Sequence, residues 1–564
     1  MAGGLLNLVS TGAQNVILNG NPQKTFWTAA YKRYTNFGLQ NFRLDYEGLR
    51  QLGGSTETTF TFKVKRYADL LLDTYFVINM PDIYSPIMPT DLNWAPYEFK
   101  WIKNLGAMMI RSIRFTIGGS LIQQLTGLDL VALANRDLTS TQKKKWDEMT
   151  GNVKEMYDPA NAYTNRRNVY PNAVYSTTVE PSIRARQLHV PIPIWWSMNS
   201  QQAFPLVSLQ YNELQIEVVV RPMRELFQIR DVTDSVNRFP VVAPNFNLAE
   251  HQMYRFLQPP PNLDLTYGAF PTNWNENAHL SCTYGFLSND EAKVFALKQQ
   301  HYLIKEMHNT WFYKVNVADK VWIQDSTNLV TSWMFLFQRS DAGLRNEWSN
   351  FTNWPYDYFP YDVEPLPLLM DDSPYTASYD FAGILVPAGR LGYGLNVNRD
   401  GSGNLYGTES GLFTSGIQRP ENQRDILLRL GILLDGTYRE ETRSVEMYKF
   451  QQQYLYSPGA GSVDLPGLYC YNFCLNTSPF QLQPSGAMNL SKYSKVELEF
   501  VTITPPADPG ATFTVICDPE AGVQIGVDKS TYQLYEYTYN LLVVEERYNV
   551  LTFVGGNAAL MNAR

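Results

Sequence analysis

Residues 192–220 read IPIWWSMNSQQAFPLVSLQYNELQIEVVV, and this stretch ends in a long apolar strand pattern. Trp195 and Trp196 are adjacent, between prolines and a polar loop. Because neighbouring side chains in a strand point to opposite faces, we expect that these two rings do not form one shared ligand platform. We predict that one ring packs inside a sandwich and that the other contacts a neighbouring layer, domain or subunit.

The same two-residue period recurs far from this stretch. Apolar and polar side chains alternate over residues 60–64, 496–500 and 535–543, and each run predicts a strand with one buried face. Gly118-Gly119 and Asp435-Gly436 follow further apolar runs, and both pairs favour the tight turns of hairpins because they tolerate positive φ. The chain is therefore expected to consist mainly of strands.

Helix signals are few in this chain. Residues 139–151 predict one helix, with polar residues at its start and Gly151 at its end. Ser288 and Glu291 have the spacing of a capping box, which predicts a helix that runs towards His301. So few helices in 564 residues indicate all-β sandwiches with short helical insertions.

The strand patterns form two blocks. After an amino-terminal arm over residues 1–25, the first block covers residues 26–230 and the second covers residues 279–564. Residues 231–278 include a run of three prolines and little periodicity, so we predict a connector there. Residues 356–423 are rich in Gly, Pro, Asp and Tyr, which predicts long surface loops inserted in the second block.

Composition argues against several classes of protein. The net charge is −8, whereas a protein that binds nucleic acid directly is usually basic. Four scattered cysteines are too few for a disulfide scaffold and indicate folding in a reducing compartment. The first residues carry no secretory pattern, and no apolar run reaches the ~18 residues that predict a membrane span.

Residue types that bind metals or catalyse reactions do not form a known motif. The five histidines contain no HExxH pair; His301 and His308 could share a helix face, but surface or half-buried positions are the simpler prediction. Cys470 and Cys474 would lie about 13 Å apart in a strand, too far for a disulfide or one zinc ion. We therefore expect both thiols to pack among apolar side chains.

One loop and two acidic pairs leave alternatives open. Asn396, Asn398, Asp400 and Gly401 follow the start of a calcium loop, but position twelve is Gly407 rather than a bidentate Glu. We predict a plain turn in this stretch, residues 396–404, with calcium binding as the less favoured reading. The pairs Asp371-Asp372 and Glu440-Glu441 are predicted to be solvated loop charges. A pair of catalytic carboxylates, as in a glycosidase, is the alternative, because the sequence does not give the distance between two carboxylates in space. No catalytic, cofactor-binding or metal-binding residue is assigned.

Five segments stand in order along the chain: GGLLNLV to TNF (residues 3–37), LG to IRFTIGG with MTGNV (105–119 and 149–153), HVPIPIWW to LQIEVVV (189–220), SWMFLFQR (332–339) and QPSGAMNLS (483–491). Together they resemble the major capsid proteins of the nucleocytoplasmic large DNA viruses of eukaryotes. Asn15 and Tyr34 replace an acid and a histidine that are usual in this family's first segment, and neither departure disturbs the pattern.

This resemblance implies two tandem eight-stranded jelly-roll β-sandwiches with long loops. It implies a structural, non-enzymatic protein without cofactors that forms a homotrimer, a pseudo-hexagonal capsomer, and an icosahedral virion shell assembled in host cytoplasm. The implied partners are neighbouring capsomers, minor capsid proteins and the penton. The shell would overlie an inner membrane without spanning it, and no direct contact with nucleic acid is expected.

Two alternatives remain at this point. One is a minor capsid or penton protein with related jelly rolls. The other, less favoured, is a carbohydrate-binding or carbohydrate-active β-sandwich protein, because Trp and Tyr faces stack on sugars.

Overall fold

The computed structural model describes residues 2–88, 95–162, 170–171, 173, 179–230, 241–261, 266–354, 356, 378–379, 385–386, 424–505, 513–517, 524–530 and 537–562. Antiparallel strands dominate these residues, and helices are short insertions between them. Within the described ranges, no helix has the length and apolar character needed to cross a membrane.

The strands, in chain order, are β1 (Phe37–Asp45), β2 (Thr58–Lys63), β3 (Leu70–Met80), β4 (Ile87–Met88), β5 (Ala95–Pro96), β6 (Phe99–Trp101), β7 (Ile110–Ile117), β8 (Ser120–Leu125), β9 (Arg186–Pro191), β10 (Phe204–Pro205), β11 (Leu214–Val220), β12 (Phe227–Arg230), β13 (Val241–Val242), β14 (His279–Leu287), β15 (Gln300–Val315), β16 (Ala318–Trp322), β17 (Leu329–Arg339), β18 (Ser378–Tyr379), β19 (Leu385–Val386), β20 (Leu427–Leu434), β21 (Thr437–Ser444), β22 (Leu468–Asn472), β23 (Met488–Asn489), β24 (Val496–Thr502), β25 (Phe513–Cys517), β26 (Gln524–Ser530), β27 (Tyr539–Val554) and β28 (Asn557–Leu560).

The helices are α1 (Gly3–Val9), α2 (Val16–Asn19), α3 (Leu105–Met108), α4 (Gly127–Asp137), α5 (Ser140–Thr150), α6 (Lys154–Tyr157), α7 (Trp195–Met198), α8 (Asn289–Leu297) and α9 (Gln452–Tyr456). A π-helical segment, Met447–Gln451, leads directly into α9.

The first sandwich packs two sheets face to face. One sheet has the order β1-β14-β3-β10, with β9 also paired to β3, and the other has the order β2-β11-β7-β8. Along β11, the strand that ends the opening stretch, Leu214, Ile216, Val218 and Val220 are buried and alternate with half-buried residues. The period-two pattern read from the sequence is therefore confirmed for this strand.

The boundary after the first sandwich differs from the sequence division. β14 pairs with β1 over its whole length and with β3 on its other side, so it lies inside the first sandwich. The sequence division instead starts the second block at residue 279. We propose that the first jelly roll extends to Leu287, because a strand that pairs on both edges cannot be separated from its sheet without breaking both ladders.

The connector is folded against the first sandwich in its described part. β13 joins β12 and β6 in a small three-stranded sheet. Met253 and Phe256 are buried in the first hydrophobic core, and the nearby residue His251 is buried as well. The low periodicity of the sequence reflects irregular backbone here rather than a free linker.

The second sandwich has a larger sheet, β15-β27-β17-β22 with β23 and β28 at its sides, facing the sheet β16-β24-β20-β21. Both faces of the larger sheet are buried. On β27, Leu541 and Val543 belong to the core of the second sandwich, whereas Leu542 and Val544 belong to the core shared with the first sandwich. The prediction of one buried face is wrong for the described part of this strand, because a second layer covers its outer side.

Turn and helix predictions succeed where local chemistry decides. Gly118-Gly119 connects β7 to β8 and Asp435-Gly436 connects β20 to β21, all four residues with positive φ. Helix α5 begins after Thr139 and ends before Gly151, as predicted. In contrast, Ser288 precedes α8 without a side-chain cap, and the helix ends at Leu297, so His301 lies in β15.

The two adjacent tryptophans do not lie in a strand. They begin the short helix α7, their rings contact each other edge to face with centroids 5.2 Å apart, and both are buried in the same core. The expected strand is therefore wrong, but the predicted division of contacts is confirmed: Trp196 packs on Phe115 inside the first sandwich, and Trp195 packs on Tyr302 of the second. Pro193 has no N–H to donate to a ladder, so pairing stops after β9 and the chain turns into a helix.

Candidate functional site

The contact between the two sandwiches contains a buried cluster of charged side chains. It centres on Arg136 at the end of α4, which lies against the outer face of the larger sheet. A capping box starts this helix: Thr126 Oγ1 accepts from the Asp129 backbone N–H, and the Asp129 carboxylate accepts from the Thr126 backbone N–H. The cap fixes the register that brings Arg136 to the interface.

Arg136 is fully buried and its guanidinium is paired on two sides. It donates to both carboxylate oxygens of Asp137, at 2.9 and 2.7 Å, and to Glu546 Oε2 at 3.2 Å. A fourth donation reaches Ser332 Oγ at 2.8 Å. Since Asp137 lies on α4 while Ser332 and Glu546 lie on β17 and β27, this cluster joins the two sandwiches.

Glu546 is stabilised as a carboxylate by its surroundings. Burial by itself would raise its pKa, but the opposing charges of Arg136 and Lys305 lower that pKa to about 2. Lys305 Nζ lies 3.7 Å from Glu546 Oε2, and the hydroxyls of Thr331 and Ser332 donate to the same oxygen at 3.1 and 3.0 Å.

This pKa predicts acid sensitivity of the fold. The folded-state pKa of Glu546 is below its unfolded value, so its contribution to the free energy of unfolding is present at neutral pH and is lost as pH falls from about 4.5 towards 2. We expect the urea midpoint to fall over this interval. The variant Glu546→Gln should show a shallower fall, and an unchanged slope in that variant would contradict the assignment.

A second set of contacts joins the sandwiches on another side. Gln228 Nε2 in β12 donates to Glu347 Oε1 at 2.8 Å and to the Arg345 carbonyl at 2.6 Å. The Arg221 guanidinium lies 4.0 Å from the ring centroid of Trp348, whose indole N–H donates to a backbone carbonyl of the first sandwich. Two separate buried contacts resist rotation of one sandwich against the other.

Aromatic rings fill the space between these polar contacts. Trp195 packs on Tyr302 of β15 with centroids 5.3 Å apart, and Phe204 contacts Phe553 of β27 at the same separation. Trp195 is 5% exposed and Trp196 is 1% exposed. Neither ring is exposed enough to stack on a sugar, so these two tryptophans do not support a carbohydrate-binding protein.

The cysteines of the interface and core are unreactive by position. Cys282, Cys470 and Cys474 are buried free thiols, and burial raises the pKa of Cys282 and of Cys470 to about 12. Cys470 belongs to a hydrophobic core, which confirms the prediction of apolar packing for this thiol, whereas Cys474 is buried but belongs to neither core. We expect these three thiols to react with Ellman's reagent only after denaturation; rapid reaction of more than one of the four thiols in the native protein would contradict this burial.

Other residues considered from the sequence are placed as follows. His301 and His308 lie in β15, not on a helix. Glu440 and Glu441 lie in the charged strand β21, not in a loop, and Glu440 pairs with Arg443 at 3.2 Å. Residues 396–404 and the pair Asp371-Asp372 fall outside the described residues. Across the described ranges, no group of three His, Cys, Asp or Glu side chains is placed to hold a metal ion.

The amino-terminal arm and the residues that follow it, up to β1, present exposed apolar side chains that have no partner in the described part of the chain. Helices α1 and α2 bury none of their residues. Ile17 is 90% exposed and Trp27 is 93% exposed, and exposed Leu and Val side chains accompany them. β1 follows as an edge strand of its sheet, with Phe37 and Leu39 also exposed. Contiguous exposed apolar side chains of this kind mark an interaction surface.

The buried charge cluster of Arg136, Asp137 and Glu546 is not evident from the sequence. Arg136 and Asp137 end a helical segment, and Glu546 follows the apolar run 541–544, so each looks like an ordinary surface charge in its own segment. A usable signal was the unbroken apolar run in SWMFLFQR, because a strand without alternation indicates burial on both faces. That signal would have predicted a second layer over β17.

A family model, protein sequences and solved structures all match this chain to viral capsid proteins. A family model described as the major capsid protein N-terminus matches residues 25–249. The major capsid protein of Chrysochromulina ericina virus is 27% identical over 338 residues, which cover 55% of this chain and 53% of that protein. The match thus spans about half the length of that relative.

Two further matches extend over the rest of the chain. The major capsid protein of Paramecium bursaria Chlorella virus 1 is 22% identical over 563 residues, covering 100% of both chains. A solved structure, the quasi-atomic model of the PBCV-1 virus capsid, matches with a TM-score of 0.59 at 16% identity and covers 96% of this chain and 100% of that one. The structural likeness confirms the fold predicted from the sequence. The chain is thus similar in sequence to the major capsid proteins of large DNA viruses, and it has the double jelly-roll fold of such capsid proteins.

Proposed function

We propose that this chain is the structural subunit of a virion shell. Three copies associate into a pseudo-hexagonal capsomer, and capsomers tile an icosahedral capsid assembled in host cytoplasm. The chain acts by association and not as an enzyme. The observation that carries this proposal is the larger sheet of the second sandwich, which is buried on both faces and so joins the two jelly rolls into one body.

A rigid pair of sandwiches suits such a subunit. Binding free energy between subunits is not spent on ordering the two sandwiches if their relative position is already fixed. Three rigid pairs place six sandwiches around one axis, which gives a threefold assembly a nearly hexagonal outline. Hexagonal outlines can tile the faces of a closed shell.

The proposed partners rest on the exposed surface of the arm and on the resemblance to major capsid proteins. We propose that the amino-terminal arm packs on a neighbouring copy of this chain, since its apolar side chains have no partner within the described chain. Minor capsid proteins and the penton would contact the capsomers from below and at the vertices. The shell would overlie the inner viral membrane without entering it.

The oligomeric state of the purified chain tests this function. Native mass spectrometry should give a trimer, three times the chain mass of 64.5 kDa. Monomers alone at high protein concentration would overturn the proposal. A pentamer would instead favour the penton alternative, which requires fivefold association.

Deleting residues 2–36 should separate folding from association. None of these side chains is buried, so the thermal midpoint of the remaining chain is expected to change little. Association with neighbouring copies should be lost or strongly weakened, as measured by light scattering at increasing concentration. As a matched control, Leu5, Leu6, Leu8 and Val9 are changed together to Ser, which keeps the length of the arm while removing the apolar face of α1. Unchanged association in both variants would refute this role of the arm.

A further inference from the structure

A cavity of about 330 Å³ lies between the two sandwiches. One wall comes from α4, α5 and α7 of the first sandwich, and the opposite wall comes from β15, β27 and residues 479–482 of the second. Exposed Gln142, Lys145 and Gln481 lie at its edge, where solvent can enter. An engineered apolar cavity of about 150 Å³ already binds benzene, so this space admits a molecule of about two rings.

The walls of this cavity are mainly apolar. Leu130, Leu133 and Trp146 contribute from the first sandwich, and Leu303 and Met307 contribute from the second. An apolar wall with a few polar groups is the usual composition of a small-molecule site. The cavity is therefore suited to a compact, largely apolar ligand.

Polar groups at the cavity lack hydrogen-bond partners. Trp195 Nε1 and Gln123 Oε1 are buried with no partner in the described chain, and the residues are 5% and 2% exposed. The neighbouring indole of Trp196 does have a partner, since its N–H donates to Thr74 Oγ1 at 3.3 Å. A buried N–H without an acceptor is costly, so an acceptor atom on a ligand would be favourable beside Trp195.

Charge on the cavity floor is already compensated. Asp137, Lys305 and Glu546 line the cavity, and Arg136 behind them pairs with both acids. Buried Arg136 and half-buried Lys305 balance buried Asp137 and Glu546, so the floor of the cavity has no net charge for an ionic headgroup, and Lys145 lies at the solvent-exposed edge. An ion placed there would lose its hydration without gaining a free counter-charge.

We infer that this cavity is a binding site for an uncharged, apolar small molecule that carries one hydrogen-bond acceptor. Its apolar body contacts both sandwiches, and its acceptor receives the N–H of Trp195. Because the ligand binds only when the two sandwiches are packed together, its binding stabilises the folded chain.

A matched pair of probes tests the inference on the purified full-length chain. Benzophenone has two rings and one carbonyl acceptor, and diphenylmethane has a similar shape without the acceptor. Titration calorimetry should show saturable 1:1 binding of benzophenone, about three- to tenfold tighter than diphenylmethane, as expected for one net hydrogen bond. Benzophenone should also raise the thermal midpoint.

Two kinds of variant locate the site. Trp195→Phe removes the N–H while keeping an aromatic ring, so the two probes should bind with equal affinity. Ala134→Phe fills the cavity from α4 and should abolish binding of both probes. If this variant does not fold, Leu138→Trp, at a half-buried position in the cavity wall, serves as the filled variant instead. Absence of binding up to the solubility limit, equal affinities in the wild type, or undiminished binding in a folded filled variant would each overturn the inference.

Discussion

Replacing Arg136 with methionine is expected to lower the free energy of unfolding by about 3–5 kcal/mol. Methionine occupies similar space but leaves Asp137 and Glu546 buried without their main counter-charge. Lys305, at 3.7 Å, compensates only Glu546 and only in part. Urea unfolding at neutral pH, followed by tryptophan fluorescence and circular dichroism, measures the effect.

Two further variants separate charge from packing. The triple change Arg136→Met, Asp137→Asn and Glu546→Gln removes all three charges, and replacing a whole buried ionic group is often close to neutral, so most of the lost stability should return. Arg111→Met is the surface control: its partner Glu57 lies at 2.6 Å, but both side chains are about half exposed, and the change should cost about 1 kcal/mol or less. If the triple variant is as unstable as the single one, packing rather than charge explains the loss.

Local patterns predicted the parts of this fold that local chemistry decides. The strands around residues 60–64 and 496–500, the Gly118-Gly119 turn and helix α5 each depend on side chains within a few residues of one another. The family resemblance then supplied the double jelly roll, which no single pattern contains. Together they were sufficient for the architecture.

Long-range pairing limited the rest. β14 follows the connector in sequence, yet it pairs with β1 more than two hundred residues earlier, and no local signal marks that choice. Arg136 and Glu546 are 410 positions apart, so their ion pair exists only once both sandwiches are packed. The helix at Trp195 depends on Pro193 ending the strand, and a period-two reading overlooks this effect.

The two tryptophans give the second large effect. Trp196→Ala is expected to lower the free energy of unfolding by about 3–5 kcal/mol, the range for truncating a buried large aromatic side chain. Its ring contacts Phe115 and Phe204 with centroids 5.4 and 5.2 Å away, and its N–H has a partner in Thr74. Removal leaves a closed void among rings that cannot collapse into it and leaves the Thr74 hydroxyl without this donor.

Trp195→Ala should cost less than Trp196→Ala, although the same number of atoms is removed. Trp195 already borders the cavity, so its loss enlarges an existing space, and its N–H has no hydrogen-bond partner to lose among the described residues. Trp27→Ala, at a side chain that is 93% exposed, is the control and should change stability by less than about 0.5 kcal/mol. Urea midpoints for the three variants give the order directly. A loss of stability for Trp195→Ala equal to or above that for Trp196→Ala would contradict this order. It would mean that the contacts of the Trp195 ring with the second sandwich stabilise the fold as much as a fully enclosed ring does.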